Sequence, residues 1–359
     1  MLTKKTTLTQ FLIEERRSHP TAVGDLNSLI IDLALSVKQI GVRLARAPFD
    51  GDPDAPGTPA APEDARHRLD TDATGLVLRA TEWGGEVAGM VTEELPEPYA
   101  IPDACPRGKY LLCFDPLNGS CNIDINSTVG SVFSILRAPN PGERPTPEDF
   151  LQAGSEQVCT GYAVYGPATM IVLSVGRGVH GFTLEPTLGE FILTHPDIRI
   201  PASPNEFAIN SSNARYWQPA VRRYVEECLA GASGPRRTNF NMRWTAAPVG
   251  EAHRILMRGG VYLYPQDRKN AAEGGRLRLL YEANPLAYLI EQAGGRASNG
   301  CRRILDVQPD DIHQRVGLIF GDADEVERIE AYHREPVLDS TPTETDLPLY
   351  GTRGLFRTA

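Results

Sequence analysis

One eleven-residue stretch, Phe114 to Asp124, constrains this chain more than any other part of the sequence. It begins at the end of an apolar run, Tyr110 to Phe114, which predicts a buried strand. An aspartate, a proline, a glycine and small polar residues come next, in the order Asp115-Pro116-Leu117-Asn118-Gly119-Ser120-Cys121-Asn122. A carboxylate at the end of a strand points beyond the edge of the sheet, where open α/β sheets bind their ligands. The stretch therefore predicts an α/β fold with a ligand site at this strand end.

The residues after Asp115 are suited to binding a phosphate group. Gly119 lets the backbone approach a ligand closely. Ser120 and Cys121 fall at a predicted helix N-terminus, where free N–H groups bind anions. A carboxylate beside an anion site suits Mg²⁺-assisted hydrolysis of a phosphate ester. The alternative is an ordinary strand–turn–helix connection, because Asp-Pro and Asn-Gly are common turn pairs.

A second acidic position lies upstream of this stretch. Glu93 and Glu94 follow the apolar run Val87 to Val91, which predicts another strand. Two adjacent acids at a strand end are usually only solvated. Here they precede a strand that ends in another acid, so we expect three carboxylates to converge on one edge of the sheet.

Several further blocks make the sequence recognisable. They are Val91-Thr92-Glu93-Glu94, Arg107-Gly108-Lys109-Tyr110, Gly161-Tyr162-Ala163-Val164-Tyr165-Gly166, Gly189-Glu190-Phe191-Ile192-Leu193, Glu251-Ala252-His253-Arg254, Gly259-Gly260-Val261-Tyr262-Leu263-Tyr264-Pro265, Leu279-Leu280-Tyr281-Glu282-Ala283-Asn284-Pro285 and Asp311-Ile312-His313-Gln314-Arg315. Together with the loop at Asp115 they strongly resemble class I fructose-1,6-bisphosphatase, in order, from about residue 6 to residue 334. The acid-Pro-Leu-x-Gly-Ser loop alone marks only a superfamily that includes inositol monophosphatases, whereas the later blocks are more specific.

The resemblance implies both a fold and a reaction. The fold is a layered αβαβα sandwich of two α/β units with the active site between them. The reaction is Mg²⁺-dependent hydrolysis of the 1-phosphate of fructose 1,6-bisphosphate, with Mn²⁺ as a second candidate metal, in gluconeogenesis or the Calvin cycle. Three alternatives stay open: a broader bisphosphatase that also takes sedoheptulose 1,7-bisphosphate, an inositol-monophosphatase-like enzyme, and a weakened homologue that only binds sugar phosphate.

The resemblance also implies which residues bind the metal and activate water. The implied metal ligands are oxygen donors, as Mg²⁺ prefers: Glu93, Asp115, the Leu117 carbonyl, Asn118 and Glu282. The implied catalytic residues, which orient or deprotonate the attacking water, are Glu94, Asp70 and Asp64. A solvated surface cluster is the alternative for Asp64 and Asp70. We interpret His253 and His313 as hydrogen-bonded structural histidines, because Mg²⁺ favours oxygen donors.

Substrate contacts follow from the same resemblance. The implied substrate-binding residues are Asn118, Gly119, Ser120, Cys121, Asn210, Arg243, Tyr264 and Arg276. The amides of Ser120 and Cys121 are expected to bind the phosphate that is cleaved. Arg276 stands where the family commonly has lysine, so a planar fork replaces a point charge. Arg243 matches an arginine that the family donates across a subunit interface, which implies a homotetramer.

The sequence departs from the family in four places. Trp244 and Asn213 stand where the family has tyrosines, so neither offers a phenolic hydroxyl to the second phosphate. The stretch from His19 to Asp25 differs from the AMP-binding turn of animal members, so we expect little control by AMP although Lys109 is retained. Asn118 stands where the family has aspartate and removes a negative charge from the metal cluster, so we expect weakened metal binding.

The order of segments predicts two α/β units and a tail. Thr7 and Gln10 form a predicted capping box, and apolar residues at helical spacing begin after Asp25. The Pro-rich stretch 48–62 is a predicted mobile loop, extending to about residue 70, that acts as a lid carrying Asp64 and Asp70. We place unit boundaries at residues 1–200, 201–335 and a tail at 336–359, with the change at Pro201 to Asn205.

Composition limits the partners and the compartment. Lys plus Arg is 36 and Asp plus Glu is 46, which gives a net charge of −10 and argues against nucleic-acid binding. An apolar run of membrane-spanning length is absent from the sequence, which argues against a membrane partner. The six cysteines show no metal-binding spacing, so we expect reduced thiols and a cytoplasmic enzyme acting on a sugar bisphosphate.

Overall fold

A computed structural model describes residues 6–17, 24–49, 62–202 and 205–335. Its helices are α1 (Leu8–Arg17), α2 (Asp25–Arg46), α3 (Pro62–Thr81), α4 (Pro219–Ala230), α5 (Pro248–Arg258), α6 (Asn284–Gln292) and α7 (Ala323–Arg334). Its strands are β1 (Val87–Thr92), β2 (Tyr99–Ala100), β3 (Tyr110–Asn118), β4 (Val129–Arg137), β5 (Cys159–Tyr165), β6 (Thr169–Ser174), β7 (His180–Glu185), β8 (Glu190–His195), β9 (Glu206–Ile209), β10 (Asn241–Met242), β11 (Val261–Tyr264), β12 (Leu277–Arg278), β13 (Arg296–Ser298), β14 (Arg315–Val316) and β15 (Leu318–Gly321). Each described helix is too short or too polar to cross a membrane.

The first eight strands form one sheet in the order β2-β1-β3-β4-β5-β6-β7-β8. Strands β1 and β3 are parallel, and the other neighbours are antiparallel. The parallel pair brings the carboxyl ends of β1 and β3 to the same edge. The acids that follow or end these two strands therefore lie side by side, as the sequence predicts.

Side chains of the first sheet alternate between two apolar cores, because successive strand residues face opposite sides. Phe133 on β4 packs with helices α1 to α3, whereas its neighbour Val132 packs with α5 and α6. On β5, Ala163 faces the first core and Tyr162 the second. The sheet is therefore buried on both faces and sits between two helical layers.

The second sheet lies on the far side of α5 and α6. Its strand order is β10-β9-β11-β15-β13, and β12 and β14 form a separate antiparallel pair. Its inner face, including Tyr262 and Phe320, packs on α5 and α6, while its outer face, including Val261 and Ile319, packs on α4 and α7. The layers are thus α1–α3, first sheet, α5–α6, second sheet and α4/α7, which confirms the predicted αβαβα sandwich.

Strand β3 is longer than the sequence predicts. We expected it to end at Asp115, but it continues through Pro116 to Asn118, all buried. The ladder with β4 is irregular between Asp115 and Asn118, where the proline cannot donate a hydrogen bond. Asp115 therefore lies inside the strand at this irregularity rather than at its end.

The prediction of a loop over residues 48–70 is wrong for the C-terminal part of that range. Helix α3 begins at Pro62, a residue type favoured in the first turn, and buries Leu69, Ala73 and Val77 at helical spacing. The first turns are polar, so the apolar period begins too late to reveal the helix in the sequence. Residues 50–61 and the side chain of Asp64 lie outside the described part of the chain, as do residues 1–5, 18–23, 203–204 and the tail at 336–359.

The segment before α6 also differs from expectation. Asparagine followed by proline is a common helix start, which predicts Asn284 as the N-cap, with Gly294 and Gly295 at the stop. Instead, a π-helical turn over Leu279–Ala283 runs directly into α6. Glu282 therefore lies within a helical turn, and π-turns are frequent at functional sites. The predicted stop holds, since α6 ends at Gln292 and Gly294 adopts a left-handed conformation with φ of +89°.

Two half-buried histidines are hydrogen-bonded to tyrosines, which confirms the structural interpretation. The Tyr162 hydroxyl on β5 lies 2.9 Å from Nδ1 of His253 on α5, and Tyr281 lies 2.7 Å from Nδ1 of His313. Burial, and secondarily repulsion from His195, lowers the pKa of His253 to about 4. The first pair joins the first sheet to the middle helical layer.

Acidification below pH 6.5 is expected to remove stability through His253. The neutral imidazole is favoured in the folded protein, so the unfolded chain takes up a proton first as the pH falls from about 6.5 towards 4. At pH 5 this term is about 2 kcal/mol. Urea unfolding of wild type and His253→Gln at pH 7.5 and pH 5 measures it, with a smaller loss expected in the variant. Equal losses in both proteins would contradict the assignment.

Candidate active site

Two buried carboxylates form the centre of the site. Asp115 on β3 and Glu282 in the π-helical turn are 6% and 7% exposed. The Leu117 amide donates to Asp115 Oδ1 at 3.1 Å, and the Arg278 amide donates to Glu282 Oε2 at 2.7 Å. These donors are neutral, so they compensate the burial of two negative charges only in part.

The pKa values of both acids reflect this burial. Desolvation, followed by repulsion from Glu282 and Glu93, raises the pKa of Asp115 well above its usual range. Desolvation likewise raises the pKa of Glu282 to about 7, with a further contribution from Glu93. A pair of carboxylates that resists ionisation in this way is stabilised by a cation placed between them.

Asn118 joins the two acids through its amide nitrogen. Nδ2 donates to Asp115 Oδ2 at 2.9 Å and to Glu282 Oε1 at 2.7 Å, while Oδ1 accepts from the Val249 amide at 2.9 Å. An N–H group needs an acceptor and carboxylates need donors, so this orientation of the amide is the only one that satisfies all three partners. Asn118 therefore turns its nitrogen towards the acids and its oxygen, the expected metal ligand, away from them.

Glu93 is held apart from the pair by an arginine. Nε of Arg278 on β12 lies 3.1 Å from Glu93 Oε1, and its Nη1 donates to the His313 carbonyl at 2.7 Å. Among the described residues, groups of three or more His, Cys, Asp or Glu side chains at metal-binding distances are absent. The expected cluster of three carboxylates is therefore not assembled here, because Asn118 and Arg278 each engage part of it.

Arg278 is the charged residue at this site that sequence reasoning missed. It lies four positions before Glu282 and two after Arg276, so it was passed over in favour of the arginine that matches the family. A usable signal in the sequence was a second arginine only four positions before the expected metal ligand Glu282. The backbone amide of Arg278 thus contacts Glu282, and its guanidinium contacts Glu93.

Asp70 and Glu94, two of the acids expected to act on water, both interact with Glu93. Desolvation, and then repulsion from Glu94, raises the pKa of Asp70 to about 7, and desolvation followed by repulsion from Glu93 raises that of Glu94. Asp70 lies on α3, so a helix rather than a loop brings it to the β1 end. Carboxylates with raised pKa values near neutral pH are suited to proton transfer.

The expected phosphate cradle has a shorter helix than predicted. Gly119 adopts φ of +79°, and Ser120–Asn122 form a single 3₁₀ turn rather than the start of an α-helix. Cys121 is exposed, while Asn122 is buried and donates from Nδ2 to the carbonyls of Thr128 and Thr245, at 2.9 and 2.7 Å. The amides of Ser120 and Cys121 thus belong to a turn held by the side chain of Asn122.

Residues expected to hold the sugar and second phosphate come from the second unit. Tyr264 ends β11 and interacts electrostatically with Arg276, Asp267 and Cys121, although burial is the largest cause of its raised pKa. The Trp244 ring stacks on Tyr262 with centroids 5.9 Å apart and lies 6.0 Å from Tyr264. Trp244 and Tyr264 are half-buried and form an aromatic wall over the buried Tyr262, and Tyr264 interacts with Cys121 of the cradle.

Asn210 is the N-cap of a 3₁₀ turn. Its Oδ1 accepts from the Ser212 amide at 3.1 Å and the Ser212 hydroxyl at 2.6 Å. With Oδ1 engaged in this way, the side-chain nitrogen Nδ2 of Asn210 is the group suited to contact a ligand. Asn213, one of the two departures from tyrosine, lies in the same turn.

Arg243 points partly into solvent from the end of β10. Its side chain is 52% exposed, and its Nε lies 3.3 Å from Glu206 Oε1. Glu206 also binds Arg254 Nη1 at 2.8 Å, and Arg254 Nε binds Glu251 Oε2 at 2.9 Å. This buried ion-pair network therefore holds the Arg243 side chain at Nε, while about half of that side chain stays exposed to solvent.

The expected nucleotide site is only partly described. Residues 18–23, which contain most of the departing turn, lie outside the described part of the chain. Lys109 pairs with Asp25 at 2.7 Å. The lysine that matches animal members is thus engaged by an acid at the start of α2.

The residues at Asp115 and Glu282 fit a hard divalent cation. They offer carboxylate oxygens, which such ions prefer. Their raised pKa values indicate that a cation between them would stabilise the ionised forms. Binding there requires the NH₂ group of Asn118 to leave its two acceptors, since it lies between them. Glu93 can join Asp115 and Glu282 as a third carboxylate ligand once its ion pair with Arg278 breaks.

Comparison with known families gives two matches that cover most of the chain. Residues 6–196 match the model of the fructose-1-6-bisphosphatase N-terminal domain. Residues 200–334 match the model of the fructose-1-6-bisphosphatase C-terminal domain.

Individual relatives agree with these matches. The chain is 59% identical over 355 residues to "Fructose-1,6-bisphosphatase class 1 3" of Methylibium petroleiphilum, covering 99% of this chain and 98% of the relative. It is 56% identical over 352 residues to fructose-1,6-bisphosphatase class 1 of Hydrogenophilus thermoluteolus, covering 98% and 97%. Among solved structures, Leishmania major fructose-1,6-bisphosphatase in holo form is 35% identical with a TM-score of 0.83, covering 92% of this chain and 100% of that one.

Proposed function

Because this chain belongs to the class 1 fructose-1,6-bisphosphatase family, we propose that it cleaves the 1-phosphate of fructose 1,6-bisphosphate with Mg²⁺ held at Asp115, Glu282 and Glu93. Family membership makes it a divalent-metal-dependent phosphatase acting on that bisphosphate. The choice of Mg²⁺, with Mn²⁺ second, and of these residues is our proposal. The supporting observation is the buried Asp115–Glu282 pair, whose hydrogen bonds within the described part of the chain all come from neutral donors.

The roles of the residues follow from their chemistry. When bound, the metal polarises the phosphoryl group and lowers the pKa of water. The Ser120 and Cys121 amides hold the phosphate, and Tyr264 and Arg276 hold the sugar and second phosphate. Glu94 and Asp70 orient the attacking water, and one of these carboxylates accepts its proton, which suits their raised pKa values. As the water oxygen bonds to phosphorus, the bond between phosphorus and the C1 oxygen breaks, and that oxygen takes up a proton from solvent, giving fructose 6-phosphate and phosphate.

A substrate panel tests this proposal. Phosphate release is measured with Mg²⁺, Mn²⁺ or EDTA on fructose 1,6-bisphosphate, sedoheptulose 1,7-bisphosphate and inositol 1-phosphate. We expect hydrolysis of the first with either metal and none with EDTA. Comparable rates on the heptulose would favour the broader bisphosphatase, and binding without hydrolysis would favour the sugar-phosphate sensor.

We further propose that the enzyme is a homotetramer. The outward side of α2 carries exposed Ile31, Leu35 and Val42 at helical spacing, opposite its buried stripe. Apolar side chains repeated along one helix face support contact with another chain. The half-exposed Arg243 supports donation of a guanidinium to a neighbouring site.

Arg243→Ala is expected to raise KM about tenfold and to change turnover less. Loss of a charged hydrogen bond to the substrate phosphate removes binding shared by ground and transition states. Steady-state kinetics on fructose 1,6-bisphosphate measures the change, with Arg258→Ala, an exposed arginine of α5, as control. Light scattering gives the oligomeric state, and a monomer with an unaffected KM would contradict donation between subunits.

We also propose a cytoplasmic location. All six cysteines are free thiols, and Cys113, Cys159 and Cys228 are buried. Free thiols are the usual state in a reducing compartment. Free-thiol titration of the purified, denatured protein without reductant should return six thiols per chain.

A further inference from the structure

The cradle loop and a segment of the second unit interlock. Asn122 is 4% exposed, and its Nδ2 donates to Thr128 O within its own loop and to Thr245 O across the units, at 2.9 and 2.7 Å. A second bond joins the Val249 amide to Asn118 Oδ1 at 2.9 Å. The loop 118–122 and the segment 245–249 are thus tied at two points.

Close packing fills the space between these ties. A Cβ atom added to Gly119 would lie 2.5 Å from the Cβ of Ala247. Such a distance excludes any side chain at position 119, because the Ala247 methyl group packs against the Gly119 backbone. The interlock is therefore packed as well as hydrogen-bonded.

The Thr245 peptide is also held from its other side. Its amide donates to Glu251 Oε1 at 2.7 Å, and Glu251 is fully buried. The second oxygen of Glu251 accepts from Arg254 Nε at 2.9 Å, and Arg254 binds Glu206. Thr245 is consequently fixed between Asn122 on the cradle side and a buried ion network on the other.

The residue before this peptide belongs to the aromatic wall. Trp244 stacks on Tyr262 at an interplanar angle of 6° and lies beside Tyr264. Tyr264 in turn interacts with Arg276. A shift of Thr245 therefore moves Trp244 relative to the cradle.

We propose that Asn122 is a positioning residue that sets the spacing between the cradle and the Trp244–Tyr264 wall, and so selects bisphosphates of one length. This inference rests on the proposed function, because it takes the substrate to span these two elements. Asn122 acts through Thr245 and need not touch the sugar. We call the link from Asn122 through Thr245 the spacer, since it sets the distance between cradle and wall. A bisphosphate contacts both cradle and wall, whereas a monophosphate contacts only the cradle. Loosening the spacer therefore removes the gain in kcat/KM that the second phosphate gives.

The ratio of kcat/KM for fructose 1,6-bisphosphate to that for fructose 1-phosphate tests the spacer. Asn122→Ala is expected to lower this ratio on the order of tenfold, because small misplacements of a bound group are costly in rate. Ala247→Gly loosens the same contact without removing a polar group and is expected to shift the ratio in the same direction. Asn140→Ala, at an exposed asparagine beyond the far end of β4, is the control and should leave it unchanged.

The outcomes separate the inference from the proposed function. A wild type that hydrolyses neither compound, or shows no preference for the bisphosphate, overturns the proposed function and the spacer with it. A wild type that prefers the bisphosphate, with variants that lower both values equally, overturns the spacer alone. If Asn122→Ala fails to fold, the ratio in Ala247→Gly decides: an unchanged ratio there overturns the spacer.

Discussion

The Asp115→Asn enzyme is expected to lose about a thousandfold or more in turnover while keeping its fold. Metal-held oxygens supply several kcal/mol of transition-state stabilisation, and about 4 kcal/mol corresponds to that factor. The fold should survive because the isosteric amide removes a buried charge whose pKa is raised by desolvation and by repulsion from Glu282 and Glu93. In metal-free buffer its thermal midpoint should stay within about a few degrees of that of wild type, because removing the buried charge offsets the loss of one acceptor for the Leu117 amide or for Asn118 Nδ2.

Phosphate release and thermal unfolding, each with and without Mg²⁺, measure these two effects. Wild type should gain thermal stability on adding Mg²⁺, and the variant should gain little. Asp103→Asn, which makes the same change at a 97%-exposed side chain, serves as control. Glu282→Ala and Glu93→Ala should lose turnover similarly. Near-normal turnover in Asp115→Asn, together with no effect of EDTA on wild type, would exclude the metal mechanism.

The Asn118→Asp protein is expected to be less stable than wild type without metal and to bind Mg²⁺ more tightly. In wild type the Nδ2 group donates to both Asp115 and Glu282. A carboxylate cannot donate, and it brings a third negative charge into a buried site, so the metal-free protein should lose roughly 2–4 kcal/mol. The same carboxylate is a better Mg²⁺ ligand than an amide, so half-maximal activity should need about tenfold less Mg²⁺.

Calorimetric titration of Mg²⁺ and thermal unfolding in EDTA distinguish these effects without relying on activity. Asn140→Asp adds the same charge at an exposed position and controls for net charge. Intact mass must be checked, because the Asn118-Gly119 pair can deamidate to the same variant. Unchanged Mg²⁺ affinity and unchanged metal-free stability would show that Asn118 does not stand between the two acids.

Much of the fold was readable from local patterns. Apolar runs before Glu93 and Asp115 predicted β1 and β3, and the capping pair at Thr7 predicted α1, whose Gln10 amide donates to the threonine hydroxyl at 3.1 Å. These signals succeed because hydrophobic periodicity and capping act within a few residues. The start of helix α3 was missed because the sequence from Pro62 to Arg68 shows no apolar periodicity.

The sequence by itself determined the family and the reaction, because these follow from short motifs in a fixed order, and it suggested the acidic and phosphate-binding residues that we propose. Only the tertiary structure decided how those residues engage one another. Asn118 was expected to offer its oxygen to a metal, but the Val249 amide, 131 positions away in sequence, takes that oxygen and turns the nitrogen to the acids. Arg278 holds Glu93 across 185 positions. Such contacts depend on which buried donors and acceptors meet across units, and local sequence carries no information about those distant partners.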